Sequence, residues 1–185
     1  KGNGERPWCL REYADQYIGD ICLDFGIKKD FLTTELLEDF LDFFSSLRKQ
    51  GTEIKEGDVF SSFSVHDAEW YKKDFSFYQD HVRAISPDNF KKIEKLILEK
   101  EMLLNQEADY LVHGDMYPKN VFWSGGLKVS DWELLHLGVP MFDPCFIWAL
   151  AWQNPSWQKT FFDEIRVDLT AFKVSYDTLL PVGQC

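Results

Sequence analysis

Two carboxylates and an amide sit in this chain at a spacing that can hold a divalent cation and orient a hydroxyl. Asp115 and Asn120 lie in the segment His113-Gly114-Asp115-Met116-Tyr117-Pro118-Lys119-Asn120, and Asp131 opens the later Asp131-Trp132-Glu133. Hard oxygen donors of this kind suit Mg²⁺, which takes one or two protein carboxylates and completes its shell with water and substrate phosphates. An Asp, an Asn five residues on and a further Asp is the arrangement used for phosphoryl transfer in kinases. There one Asp orients the acceptor hydroxyl, while the Asn and the second Asp hold the metal. For any one of these residues alone, a loop-capping role is the simpler reading. His66, His81, His113 and His136 show no zinc-type pairing with each other or with cysteine.

Such a constellation needs elements that bring its parts together. Tyr110-Leu111-Val112 and Val121-Phe122-Trp123 read as short strands. Gly125-Gly126 can make a tight turn that returns the chain as Leu127 to Ser130, which delivers Asp131 to the end where Asp115 and Asn120 lie. Upstream the pattern is helical. Apolar residues recur at steps of three and four from Trp8 to Phe25, and Gly26 ends that stretch. A second helix starts at Thr33 or Thr34 and stops before Gly51, with Glu35, Glu38, Asp39 and Asp42 near its start as a solvated, dipole-complementing face. Residues 51–63 read as a loop and 66–85 as a third helix. Ser86-Pro87-Asp88 opens a fourth, with Ser86 as cap, that runs to about Asn105. After Pro140 a helix begins with Asp143 as cap, and another spans about Phe161 to Leu180.

Composition narrows the partners. The chain has 185 residues, with 20 Lys plus Arg against 31 Asp plus Glu, a formal charge of −11. That charge argues against a nucleic-acid binder, which presents a basic face, and suits a metal or a cationic small molecule. No apolar run approaches the ~18–20 residues of a membrane span. Cys9, Cys22, Cys145 and Cys185 are widely spaced, which favours free, mostly buried thiols in a reducing, cytoplasmic compartment. Trp148, Trp152 and Trp157 could cage a quaternary ammonium group, but a one-turn spacing such as that of Trp148 and Trp152 is more often core.

The string HGDMYPKNVFWSGG followed by KVSDWE resembles the signature of the aminoglycoside phosphotransferase and choline kinase superfamily, small-molecule kinases distantly related to protein kinases. Gly138 to Asp143 resembles the segment that follows in that family, with Val139 where an acid is usual. The resemblance covers about Tyr110 to Trp152. It implies an α+β fold: a mainly helical, protein-kinase-like C-terminal lobe with a short β-hairpin carrying the motifs. It implies Asp115 as the catalytic aspartate, Asn120 and Asp131 as ligands of Mg²⁺, and ATP or GTP as phosphate donor. His113 would shape the loop rather than move protons. Asp143 would cap the next helix and brace the loop, and Glu133 would assist the substrate or the metal ligands.

On this reading the chain is one lobe, with a helical part at 1–109, the loop and hairpin at 110–133, and C-terminal helices at 134–185. No glycine-rich phosphate loop or strand lysine precedes the helices, so the N-terminal lobe that roofs the nucleotide is expected in a parent chain. The expected activity is transfer of a γ-phosphate to a hydroxyl of a small molecule, cationic as in an aminoglycoside or choline-like amino alcohol. A kinase-like binding or scaffold module without catalysis is the alternative.

Overall fold

A computed structural model of the chain describes residues 19–20, 26–55, 63–123 and 125–171. Among these residues the architecture is mostly helical α+β, with three two-stranded antiparallel sheets.

Strands β1 (Gly19–Asp20) and β2 (Gly26–Ile27) pair in register Gly19 with Ile27 and Asp20 with Gly26. This corrects the expected helix from Trp8 to Phe25 in its described part; the remainder lies outside the described residues. Glycine is a poor helix former, and the two glycines here enter a sheet ladder instead. Gly26 packs against the Trp152 ring and the Leu150 carbonyl.

Helix α1 (Thr34–Lys55) starts where the sequence places it, with Thr33 Oγ1 accepting from the Leu36 N–H at 3.3 Å. It does not stop before Gly51. The helix continues through that residue because strand β3 (Tyr110–Val112) crosses it there: a Cβ on Gly51 would lie 3.2 Å from the Leu111 nitrogen. Gly51 is thus a close-approach position. Of the expected loop 51–63, residues 51–55 are helical, residue 63 is not, and residues 56–62 lie outside the described residues.

Helix α2 (Ala68–Ile85) is capped by Asp67, which accepts from the Glu69 and Trp70 amides at 3.0 and 3.1 Å. Helix α3 (Pro87–Glu99) opens on Pro87 as expected, but the Ser86 side chain makes no capping bond; its N–H instead closes α2 on Val82. The helix expected to reach Asn105 breaks at Lys100, and α4 (Glu101–Glu107) follows. Beyond that break, Asn105 Oδ1 accepts from the Ala68 N–H at 3.1 Å and so joins α4 to the start of α2.

Strands β4 (Val121–Trp123) and β5 (Leu127–Val129) form the expected hairpin, with Gly125 and Gly126 at positive φ. Strand β3 pairs with β6 (His136–Gly138). Helices α5 (Phe142–Leu150) and α6 (Pro155–Ala171) are the last of the described elements. The expected last helix thus starts earlier, at Pro155, and its residues past 171 lie outside the described residues.

The core forms where α1, α5 and α6 meet. Phe40 and Phe44 of α1 pack edge-on against Phe161, which stacks on Trp157 with centroids 5.0 Å apart. Trp157 is buried and its indole N–H donates to the Thr33 carbonyl at 2.9 Å, so this tryptophan ties α6 to the start of α1. The hairpin docks on α1 through the Trp123 indole N–H, which donates to Asp39 Oδ2 at 2.7 Å. One member of the acidic face expected to be solvated is therefore a structural acceptor.

Candidate active site

Strand β3 is buried and ends by feeding His113 into the 113–120 loop. Buried amides need acceptors, and Asp143 of α5 supplies two. Its Oδ2 accepts from the His113 N–H at 2.7 Å and its Oδ1 from the Gly114 N–H at 3.0 Å. Asp143 is the second residue of α5 and no side-chain cap of that helix. The expected brace is present and the expected cap is not. Burial pushes its carboxyl pKa up to about 7, against the lowering effect of the two N–H bonds and with the Asp115 charge adding to the rise.

His113 is fully buried. Its Nδ1 accepts from the Asp115 N–H at 3.2 Å, so Nε2 carries the proton and donates to the Ser130 carbonyl at 3.1 Å. Burial lowers its pKa, opposed by the Ser130 carbonyl and by the charges of Asp115 and Asp131. A neutral imidazole with both nitrogens committed is a strut between the loop and the end of β5. The Trp132 ring packs on it edge-on at 4.6 Å. Gly114 has φ +83°, and a Cβ there would lie 2.7 Å from the Leu134 carbonyl and 2.8 Å from the His136 ring. Only glycine fits that position without strain.

This framework brings Asp115 and Asn120 into contact. Asn120 is buried in a 3-10 turn, Pro118–Asn120, and its amide NH₂ donates to Asp115 Oδ2 at 2.7 Å and to the Asp115 carbonyl at 3.0 Å. Those bonds fix the amide orientation and leave Asn120 Oδ1 with no donor among the described residues. The Asn120 carbonyl accepts from the Ser130 N–H at 2.9 Å, so the backbone of Asn120 is pinned one residue before Asp131. Asp131 is the one non-glycine residue at positive φ among the described residues, φ 66° and ψ 63°. Its exposed carboxylate makes no hydrogen bond among the described residues. A strained backbone that presents an uncommitted carboxylate is a common feature of functional sites.

Glu133 is exposed and makes no hydrogen bond or ion pair among the described residues. Lys119 lies over the Tyr117 ring at 5.4 Å, on the surface. The three tryptophans do not form a cage. Trp157 is in the core, Trp148 stacks on Phe162 at 5.1 Å and Trp152 is half exposed. Cys145 is a buried thiol; Cys9, Cys22 and Cys185 lie outside the described residues.

No group of three or more His, Cys, Asp or Glu side chains among the described residues could hold a metal ion by itself. The donors expected for a metal, Asn120 Oδ1 and the Asp131 carboxylate, are both oxygen and carry one charge between them. They fit Mg²⁺ that is bound jointly with phosphates and water, not a cation caged by protein alone.

Sequence reasoning missed a ring stack behind the loop. His136 lies 3.5 Å from His66, centroid to centroid, and His66 lies 3.8 Å from Trp70. The His136 Nδ1–H donates to the Leu134 carbonyl at 2.7 Å, and its ring is the wall that Gly114 abuts. Burial lowers the pKa of both histidines, that of His66 to about 4, with His136 also opposing its protonation. Nothing in the spacing of residues 66, 70 and 136 signals that contact.

The model of a phosphotransferase enzyme family matches residues 32–173, well over half of the chain and inclusive of every residue of this site. No curated protein and no solved structure matches the chain.

Proposed function

Since the chain belongs to the phosphotransferase enzyme family, we propose that it transfers the γ-phosphate of ATP or GTP to a hydroxyl of a small molecule, with Mg²⁺ as cofactor. The observation that carries this reading is the 2.7 Å bond from the Asn120 amide to Asp115 Oδ2. It holds one carboxylate oxygen still and leaves Asp115 Oδ1 for an acceptor hydroxyl.

On this reading Asp115 accepts the hydrogen bond of the attacking hydroxyl and takes its proton as the bond to phosphorus forms. The bond from the γ-phosphorus to the nucleoside diphosphate oxygen breaks, and the diphosphate leaves with those electrons. Asn120 Oδ1 and Asp131 would hold the magnesium ion, which supplies charge neutralisation at the phosphates. His113, Gly114 and Asp143 position the loop and touch no reacting atom. Catalysis of this type comes mainly from placement and charge, which accords with a site built from backbone struts.

The acidic chain favours a cationic acceptor, such as an aminoglycoside or a choline-like amino alcohol, and a cytoplasmic setting supplies nucleotide and Mg²⁺. Among the described residues no helix is long and apolar enough to cross a membrane. The test is ADP or GDP release by the full-length protein across aminoglycosides, choline-like amines, amino alcohols and sugars. Acceptor-stimulated, Mg²⁺-dependent release is expected with at least one class. No stimulation by any class, together with no thermal shift from Mg²⁺-nucleotide, would overturn the reading.

A further inference from the structure

Helices α2, α3 and α5 enclose a cleft of about 510 Å³ that contains no residue of the 113–120 loop and none of Asp131, Trp132 or Glu133. That volume is in the range of a small-molecule site. Its walls are aromatic: Trp70, Tyr71, Phe75, Tyr78, Phe146 and Trp148 line it, and buried Cys145 and Ile97 lie at its inner end. Asp74 is the one charged residue of the lining. It sits at the exposed rim and makes no hydrogen bond or ion pair among the described residues. We propose that this cleft binds an amphiphilic organic amine, with the apolar body between the helices and the ammonium group at Asp74.

The class of ligand follows from the lining. An apolar body gains by leaving water for the aromatic walls. Ring faces attract a cation and repel an anion, and the ring-lined rim carries a carboxylate with no cationic partner among the described residues. The chain's charge of −11 adds a long-range pull in the same direction. Partial burial raises the Asp74 pKa, and a bound ammonium would offset that cost of ionisation. A neutral ligand would leave the carboxylate without a counter-charge, and an acid would be repelled.

The cleft also shares elements with the site. Phe142, Cys145, Phe146 and Ala149 form its α5 wall at a helical spacing, while Asp143, on a different face of the same helix, holds the His113 and Gly114 amides. Trp70 is shared between the cleft and the His66–His136 stack.

The test is calorimetric binding of 3-phenylpropylammonium, 3-phenylpropan-1-ol and 3-phenylpropanoate to the full-length protein. The ammonium is expected to bind about five- to tenfold more tightly than the alcohol, and the carboxylate most weakly. Asp74→Asn should erase the difference between ammonium and alcohol and leave alcohol binding unchanged. Ala149→Phe, which fills the rim away from the Asp143 face, should weaken all three. Equal binding of ammonium and alcohol by the wild type, an ammonium preference that survives Asp74→Asn, or no binding by any probe at millimolar concentration would each overturn the proposal.

Discussion

Asp143→Ala removes the acceptor of the buried His113 amide and of the part-buried Gly114 amide. The His113 and Gly114 N–H groups lose bonds of 2.7 and 3.0 Å. A buried donor left without a partner costs roughly 1–3 kcal/mol, so the two together cost about 2–5 kcal/mol. The wild-type carboxyl carries an opposing cost, since its pKa rises from 3.8 to about 7 on folding. The folded protein then keeps this proton to higher pH than the unfolded chain. Stability contributed here is fully present below about pH 4 and is lost as pH rises toward 7, at about 1.4 kcal/mol per unit. The alanine variant has no such dependence. Its penalty is therefore about 2–5 kcal/mol at pH 5 and smaller by about 2–3 kcal/mol at pH 8. Urea unfolding of both proteins at the two pH values reads the difference from the midpoints at constant slope, and titration of all other groups cancels between them. A penalty under about 0.5 kcal/mol at both pH values would refute the brace, and a penalty that grows with pH would refute the raised pKa.

Three further outcomes are expected. Gly114→Ala forces a side chain into φ +83° and against the Leu134 carbonyl; it should cost about 2–4 kcal/mol in a thermal melt and lower turnover more than stability alone explains. Phe161→Ala empties the fully buried centre of the α1–α6 aromatic cluster and should cost about 3–5 kcal/mol by denaturant titration. Burial lowers the pKa of His66 to about 4 and that of His136 in the same direction, so the stability they contribute is present above about pH 6.5 and lost as pH falls toward 4. His66→Phe keeps the stack without the charge and should show a shallower loss of melting temperature over that window; an unchanged slope would contradict the assignment.

The parts of the site that are local in sequence were legible in it. The Asp115 and Asn120 pair, the Gly125-Gly126 turn and the return to Asp131 depend on spacings under twenty residues, and each element is a strand or turn with its usual residues. Contacts that join distant segments were not legible. Asp39 reads as one acid among four on a helix face, yet it binds Trp123. Strand β6 carries little strand signal because His136 and Gly138 are weak strand formers; it exists because β3 offers a ladder beside it. Gly26 and Gly51 both read as helix stops. One instead joins a strand pair and the other lets a strand pass close to a helix. A glycine marks a backbone demand, and tertiary packing decides which demand it is.

The proposed roles of Asp131 at the metal and Asp115 at the acceptor hydroxyl are tested most directly by acceptor phosphorylation against Mg²⁺ concentration for the full-length wild type, Asp131→Asn and Asp115→Asn. Asp131→Asn is expected to lose at least about a hundredfold in rate and to need more Mg²⁺ for what remains. Asp115→Asn should lose a similar factor in kcat with its Mg²⁺ dependence unchanged. Wild-type rates with wild-type Mg²⁺ dependence in either variant would contradict those roles.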